Sequence, residues 1–178
     1  RQNKFYIVLI FRFIITQFKI VAWCNPRLFN KILMTISVEF QNQINFLVNS
    51  ADLKRKDLLA KMQVDERSLS NALNYGIIPT SKILIRMADY FDVSMNNLLG
   101  KSDEEFKKSS TPSDFSSRLA FLCKKNNISY HQLDNQCHFG KSYTSRWIRK
   151  KSIPSLYILE ILTDHFNVSL DYLLGRID

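Results

Sequence analysis

The chain is expected to be all-α and built as two tandem copies of one five-helix domain. Three observations lead to that expectation. Residues 37–103 align on 112–178 without a gap, with 17 identities in 67 pairs; ordinary composition gives about one match in twenty positions, so the period of 75 residues reads as a duplication. Apolar residues recur at helical spacing through both copies. The whole 178-residue chain holds only 4 Gly and 4 Pro, too few for a loop-rich or all-β design. A period this long in only two copies means tandem domains and not a solenoid.

The elements follow in order. The first helix of each copy puts Phe40, Ile44, Leu47 and Val48, or Phe115, Leu119, Leu122 and Cys123, on one face at i, i+4, i+7, i+8. The second and third helices with a tight turn between them are read over 54–74 (KRKDLLAKMQVDERSLSNALN) and 129–149 (SYHQLDNQCHFGKSYTSRWIR). An extended segment then ends at Pro79 or Pro154, where Thr80 and Ser155 can cap the fourth helix. That helix carries Ile83, Leu84, Met87, Ala88 and Phe91, matched by Ile158, Leu159, Leu162, Thr163 and Phe166. A short fifth helix begins after Ser94 or Ser169 and closes at Gly100 or Gly175, where a left-handed residue is needed. The domains therefore run over 34–103 and 112–178, each near the lower size limit for a single core. Residues 104–111, inside the polar stretch KSDEEFKKSSTP, read as a linker. The twelve residues of that whole stretch, 101–112, can extend to roughly 40 Å.

The formal net charge of +9 points to nucleic acid or an acidic surface, but six basic and no acidic residues lie in 1–33 (Arg1, Lys4, Arg12, Lys19, Arg27, Lys31). The other 145 residues hold 19 basic against 16 acidic. The leader has three readings. As a membrane span it is poor, because the apolar run Phe5–Thr16 is short and interrupted by Arg12. As a signal peptide it lacks a small-x-small cleavage site, and Trp23 spoils the box before Cys24. The third reading is upstream sequence read in frame, with translation starting at Met34: the segment has no Asp, Glu, Gly, Ser or His and is rich in residues with A/T-rich codons. The odd set Cys24, Cys123 and Cys137 shows no zinc-like spacing and reads as reduced thiols, so no metal and no cofactor are expected. There is no phosphate-cradling glycine loop, nucleophile elbow or paired ligand set, so no catalytic residues are assigned and no enzyme is expected. The chain stops three residues after the second Leu-Leu-Gly, so no appended ligand-binding or autocleavage domain is expected.

The order of these features, with Ile-Pro before the fourth helix and Phe-x-Val-Ser-x-x-x-Leu-Leu-Gly at the end of each copy, resembles the XRE-type, phage-repressor and Cro-like helix-turn-helix family. The resemblance implies a lambda-repressor-like domain whose third helix lies in the major groove of double-stranded DNA while the second crosses the backbone. It implies base reading by Glu66, Arg67, Ser68 and Asn71 in the first copy, with Arg55, Lys56 and Asn74 near phosphates. In the second copy it implies reading by Lys141, Ser142, Tyr143 and Arg146 from the first turns of the helix, with Tyr130, Arg149, Lys150 and Lys151 near the backbone. These side chains suit the task, since Arg and Lys donate to guanine, Asn bridges adenine and Glu accepts from cytosine.

The implied protein is a sequence-specific transcriptional regulator, cytoplasmic and nucleoid-associated, with two unlike half-sites in reach of one chain. A homodimer or a regulatory protein partner stays open. The rival reading keeps the fold but makes it a protein-interaction module, antitoxin-like or regulator-binding, on the ground that the first copy is electrically neutral (8 basic, 8 acidic).

Departures from the family pattern are also visible. Gln63 and His138 stand where the turn wants a left-handed glycine. Leu59 and Asp134 stand where a small alanine is usual, and Thr144 replaces an apolar anchor. A buried Asp134 needs a partner; either the two helices splay, or the carboxylate points outward. The second copy is net +3, with Arg146, Arg149, Lys150 and Lys151 close together. Replacing Arg149, Lys150 and Lys151 with Ala is expected to weaken binding to all duplexes and flatten its salt dependence; an unchanged slope of affinity against salt contradicts the assignment.

Overall fold

The computed structural model describes residues 36–103 and 106–178. The leader 1–33, with Cys24 and the start at Met34, lies outside the described residues. Within them the chain forms ten helices and no sheet, and Ser37–Asp178 make one compact unit. The helices are α1 (Val38–Ser50), α2 (Arg55–Met62), α3 (Glu66–Tyr75), α4 (Ser81–Phe91), α5 (Met95–Leu98), α6 (Phe115–Lys125), α7 (Tyr130–Gln136), α8 (Tyr143–Lys150), α9 (Leu156–Phe166) and α10 (Leu170–Leu173). The starts of α2 and α7, of α4 and α9, and of α5 and α10 lie 75 residues apart. Those of α3 and α8 lie 77 apart, a delay taken up below.

The amphipathic stripes face inward as their spacing dictates. Phe40, Ile44 and Leu47 of α1 bury against Leu58, Met62, Leu69, Leu84 and Met87. Phe115, Leu119, Leu122 and Cys123 of α6 bury against Leu133, Trp147, Leu159 and Leu162. Several helix ends are closed by the residues the sequence suggests. The hydroxyls of Ser94 and Ser169 accept from the N–H of Asn97 and of Tyr172, at 2.9 and 3.1 Å. Gly100 and Gly175 take left-handed backbone, φ +69° and +72°. Thr80 and Ser155 also sit at N-cap positions, but neither side chain makes a capping hydrogen bond. Pro79 and Pro154 before them already turn the chain into the helix, and those first turns stay uncapped by side chains.

The two halves meet through their last helices. Arg176, 4% exposed, donates through Nη1 to the Asp171 carboxylate, through Nη2 to the Val93 carbonyl at 2.8 Å, and through Nε to Asp89 at 3.1 Å. Its guanidinium lies 4.4 Å from the centre of the Phe106 ring. Asp171, also 4% exposed, crosses to the first half and accepts from the N–H of Met95, with oxygens at 3.0 and 3.2 Å, so it caps α5 from outside. Burial pushes the Asp171 carboxyl above the usual range, while Arg176 and the Met95 N–H pull it back. A buried Ser81 hydroxyl donates to the Pro154 carbonyl at 2.6 Å, and Lys101 pairs with Glu160 at 2.6 Å.

The polar segment expected to be an extensible linker is folded onto the second half over its described C-terminal part. Ser109 donates to the Arg176 carbonyl and to Asp178, and the Ser113 N–H donates to the Gly175 carbonyl. The halves are therefore not two beads on a tether.

Replacing Asp171 with Ala removes one carboxylate partner of a buried guanidinium and the acceptor of the Met95 N–H, while Asp89, the Val93 carbonyl and the Ser94 cap remain. The expected loss is about 3–5 kcal/mol in urea unfolding, whereas an apolar pair at 171 and 176 costs less than this single change. A loss below about 1 kcal/mol for Asp171→Ala contradicts a buried lock.

Candidate nucleic-acid interface

The first helix pair, α2 and α3, is joined by only three residues. Gln63 takes the left-handed conformation (φ +54°), as its place in the turn requires, and its carbonyl accepts from Arg86 Nη1 of α4 at 2.7 Å. Asp65 caps α3: its carboxylate accepts from the N–H of Ser68 at 2.8 Å and from the Ser68 hydroxyl at 2.7 Å. Those two bonds, the hydroxyl first, hold the Asp65 carboxyl below the usual range. Leu58, Met62, Val64, Leu69 and Ala72 are buried beneath the pair. Leu59, which replaces the usual alanine, is half-buried against the same core.

The outer face of α3 carries Glu66, Arg67, Ser68 and Asn71, as expected, with Asn74 one turn further on. Arg67, Asn71 and Asn74 fall at i, i+4 and i+7, one stripe of the helix. Two of the side chains on this face have partners within the chain. Arg55 Nε pairs with Glu66 Oε1 at 2.7 Å, linking the start of α2 to the start of α3. The Ser68 hydroxyl is drawn into the cap of its own helix. Lys56 is exposed, and the exposed Asn74 donates to Ser70 Oγ at 3.1 Å.

The second pair, α7 and α8, has the same order and a different construction. A capping box starts α7, with the Ser129 side chain and the Gln132 side chain each bonding the other's backbone N–H. His138 takes φ +54°, the counterpart of Gln63. The turn then runs on to Ser142, six residues in place of three. Gly140 stands 75 residues after Asp65 and has no carboxylate to offer α8. The acceptor comes from α7 instead: Asp134 Oδ1 takes the N–H of Thr144 at 2.9 Å and its hydroxyl at 2.6 Å. Asp134 is 4% exposed and Thr144 0%, so a carboxylate sits buried at the N-terminus of α8, where the helix dipole favours negative charge.

This pairing corrects the expectation for Asp134. The helices need not splay and the carboxylate does not point outward; the two departures at 134 and 144 satisfy each other. It also corrects the register of the reading helix. With no cap at 140, α8 begins only at Tyr143, so Lys141 and Ser142 lie in the turn (Ser142 at φ +64°) and not on the first turn of the helix. Both remain exposed beside it.

Exposed Arg146, Arg149 and Lys150 follow at i, i+3 and i+4 along α8, while Trp147 on its inner face is buried. Exposed Tyr130 opens α7. Lys151 ends α8 in left-handed backbone and turns its amino group to within 3.7 Å of the Asp114 carboxylate at the start of α6. Among the described residues, Arg146, Arg149 and Lys150 pair with no carboxylate, whereas Lys151 is directed to Asp114. Cys123 and Cys137 are free thiols behind this pair, and burial pushes Cys123 up to about 11.

Removing the Asp134 carboxylate leaves a buried threonine hydroxyl and N–H unpaired. Asp134→Ala is expected to cost about 1–3 kcal/mol, and Thr144→Val in that background adds less than it does in the native chain. Additive losses in denaturant unfolding contradict the cap.

A helix-turn-helix family model matches residues 119–173, which contain α7 and α8 whole and run from within α6 to the end of α10. Residues 37–103 lie outside the matched stretch. No curated protein and no solved structure matches the chain. Among the described residues, no helix is long and apolar enough to cross a membrane. The matched family, helix-turn-helix of the XRE type, is one of DNA-binding regulators, and α7–turn–α8 is the part of this chain that carries the likeness.

Proposed function

We propose that this protein is a sequence-specific DNA-binding transcriptional regulator with two reading heads in one chain, one formed by residues 34–103 and one by 112–178. The observation that carries the reading is the α7–turn–α8 pair inside the matched stretch, with Arg146, Arg149 and Lys150 open on its outer face. Helix α8 enters a major groove and α7 crosses the phosphates, where Tyr130, Arg149 and Lys150 supply backbone contacts. Helix α3 reads a second, unlike half-site chiefly through Arg67 and Asn71, with Glu66 held by Arg55. Lys56 and Asn74 lie toward the backbone, and Lys141 and Ser142 reach DNA from the turn. Its work is then on the nucleoid, in the cytoplasm.

The packing of α5 against α10 supports a further step. Single-headed DNA-binding proteins of this type pair two chains to occupy half-sites about 34 Å apart. Here the buried contact between halves does that joining within one polypeptide, so a monomer suffices for a two-part site. One observation favours the rival reading for the first half alone: the Arg55–Glu66 pair cancels two exposed charges on the surface assigned to DNA. On that reading α3 meets a protein partner while α8 alone holds DNA.

Selection from random duplexes, followed by sedimentation and footprinting of the enriched site, tests both. The expected outcome is one chain per duplex and a footprint of two unlike parts. A footprint of one part, or an obligate dimer, contradicts the two-headed monomer; no enriched duplex contradicts DNA reading altogether.

A further inference from the structure

The start of α8 carries an aromatic ladder with no counterpart 75 residues earlier, where Ser68, Asn71 and Ala72 stand in place of Tyr143, Arg146 and Trp147. Phe139 and the buried Trp147 meet edge to face, with centroids 5.3 Å apart. Trp147 and Tyr143 do the same at 5.7 Å. The Arg146 guanidinium carbon lies 5.0 Å from the centre of the Tyr143 ring. Gly140 makes room for the ring: a β-carbon there would stand 2.3 Å from Tyr143 Cε2. The half-exposed ring thus meets Trp147 on one side, lies over Gly140 at one edge, and takes the Arg146 cation near its face. Among the described residues, no carboxylate pairs with Arg146 and its guanidinium donates no hydrogen bond, so its five N–H groups are unspent.

We propose that Tyr143 is a positioning residue for Arg146, and not itself a reader of bases, and that Arg146 so held donates to the O6 and N7 of a guanine at one position of the site. The inference rests on the DNA reading above. An arginine contacting a base in bidentate fashion must give up the freedom of a long side chain. Contact through the face of an aromatic ring removes much of that freedom beforehand while leaving the N–H edge of the guanidinium unused. Bidentate donation to guanine is the commonest specific contact available to arginine in the major groove. The delayed start of α8 is what makes the arrangement: with Gly140 in place of an aspartate cap, Tyr143 becomes the first helical residue and stands three positions before Arg146, on the same face.

The test has one arm without DNA and one with it. In the DNA-free chain, ring currents should shift the Arg146 δ-methylene protons upfield. Tyr143→Leu should abolish the shift, Tyr143→Phe should keep it, and Gly140→Ala, which moves the ring without deleting it, should reduce it. On the selected duplex, Arg146→Ala should relax discrimination at one guanine by tenfold or more, on the order expected for a bidentate contact. Tyr143→Leu should relax the same position by roughly three- to tenfold, the scale of a cation–π contact, with Tyr143→Phe restoring it and the salt slope unmoved throughout. Loss of discrimination at a different position in Tyr143→Leu overturns the inference, because Tyr143 then reads a base. So does a missing ring-current shift in a chain that does enrich a duplex, and in that case DNA reading stands. A chain with the shift that enriches no duplex overturns DNA reading, and the role of Arg146 falls with it.

Discussion

The contact on which the rest of this structure depends is the buried pair of Arg176 and Asp171. Two opposite charges taken out of water are costly unless every donor and acceptor is met, and here the partners come from both halves. Asp89 and the Val93 carbonyl of the first half complete the guanidinium, and the Met95 N–H of the first half completes the carboxylate. Separating the halves would leave Arg176 with Asp171 alone and the N-terminus of α5 without that acceptor. The pair therefore couples α5 to α10, and through them the two cores. The segment that joins the halves in sequence packs along this contact, through Phe106 and Ser109, and adds to it.

A second constraint is the need of each outward helix for a negative group at its N-terminus. In the first half Asp65 meets it locally, so only three residues separate α2 from α3. In the second half Gly140 cannot, and Asp134 meets it from the preceding helix by way of Thr144. The remote cap delays α8 by two residues, lengthens the turn and sets Tyr143 at the helix start. The surfaces diverge as a result. The outer end of the first pair is internally neutralised by Arg55 and Glu66, while α8 offers Arg146, Arg149 and Lys150 to solvent. On the proposed reading this is a division of labour, with stronger phosphate contact from the second head, and the family match falls on that same part of the chain.

Much of the fold was legible in the sequence because its causes are local. Apolar spacing marks the buried faces of α1, α4, α6 and α9, and Ser94, Ser169, Gly100 and Gly175 announce their caps by type and place. The outward stripe of α3 was also legible, since Asp65 fixes its start within three residues. The larger misses are long-range, whereas Thr80 and Ser155, which make no capping bond, are local ones. Asp171 on a four-residue helix and Arg176 just past its end look like surface charges, and nothing local says that partners 76 to 87 residues earlier will bury them. Asp134 and Thr144 each looked like a defect; only their juxtaposition across two helices makes them a pair, and a polar anchor opposite a buried acid is the signal that could have found it. Lys141 and Ser142 were assigned to a helix because a gapless alignment carries over register, whereas the helix start is set by its cap. Lys151 was counted with its neighbours, but a left-handed helix end turns it toward Asp114.

On the proposed reading, α3 and α8 are held in a fixed relation by a buried contact inside one chain. Affinity for the selected two-part duplex, measured as the two parts are moved apart one base pair at a time, tests it most directly. A sharp optimum at one spacing is expected, with a half-turn displacement costing nearly all of the second part's contribution and Asp171→Ala broadening the optimum. Equal affinity across spacings in the native chain would contradict it, because the heads would then be independent bodies on a tether.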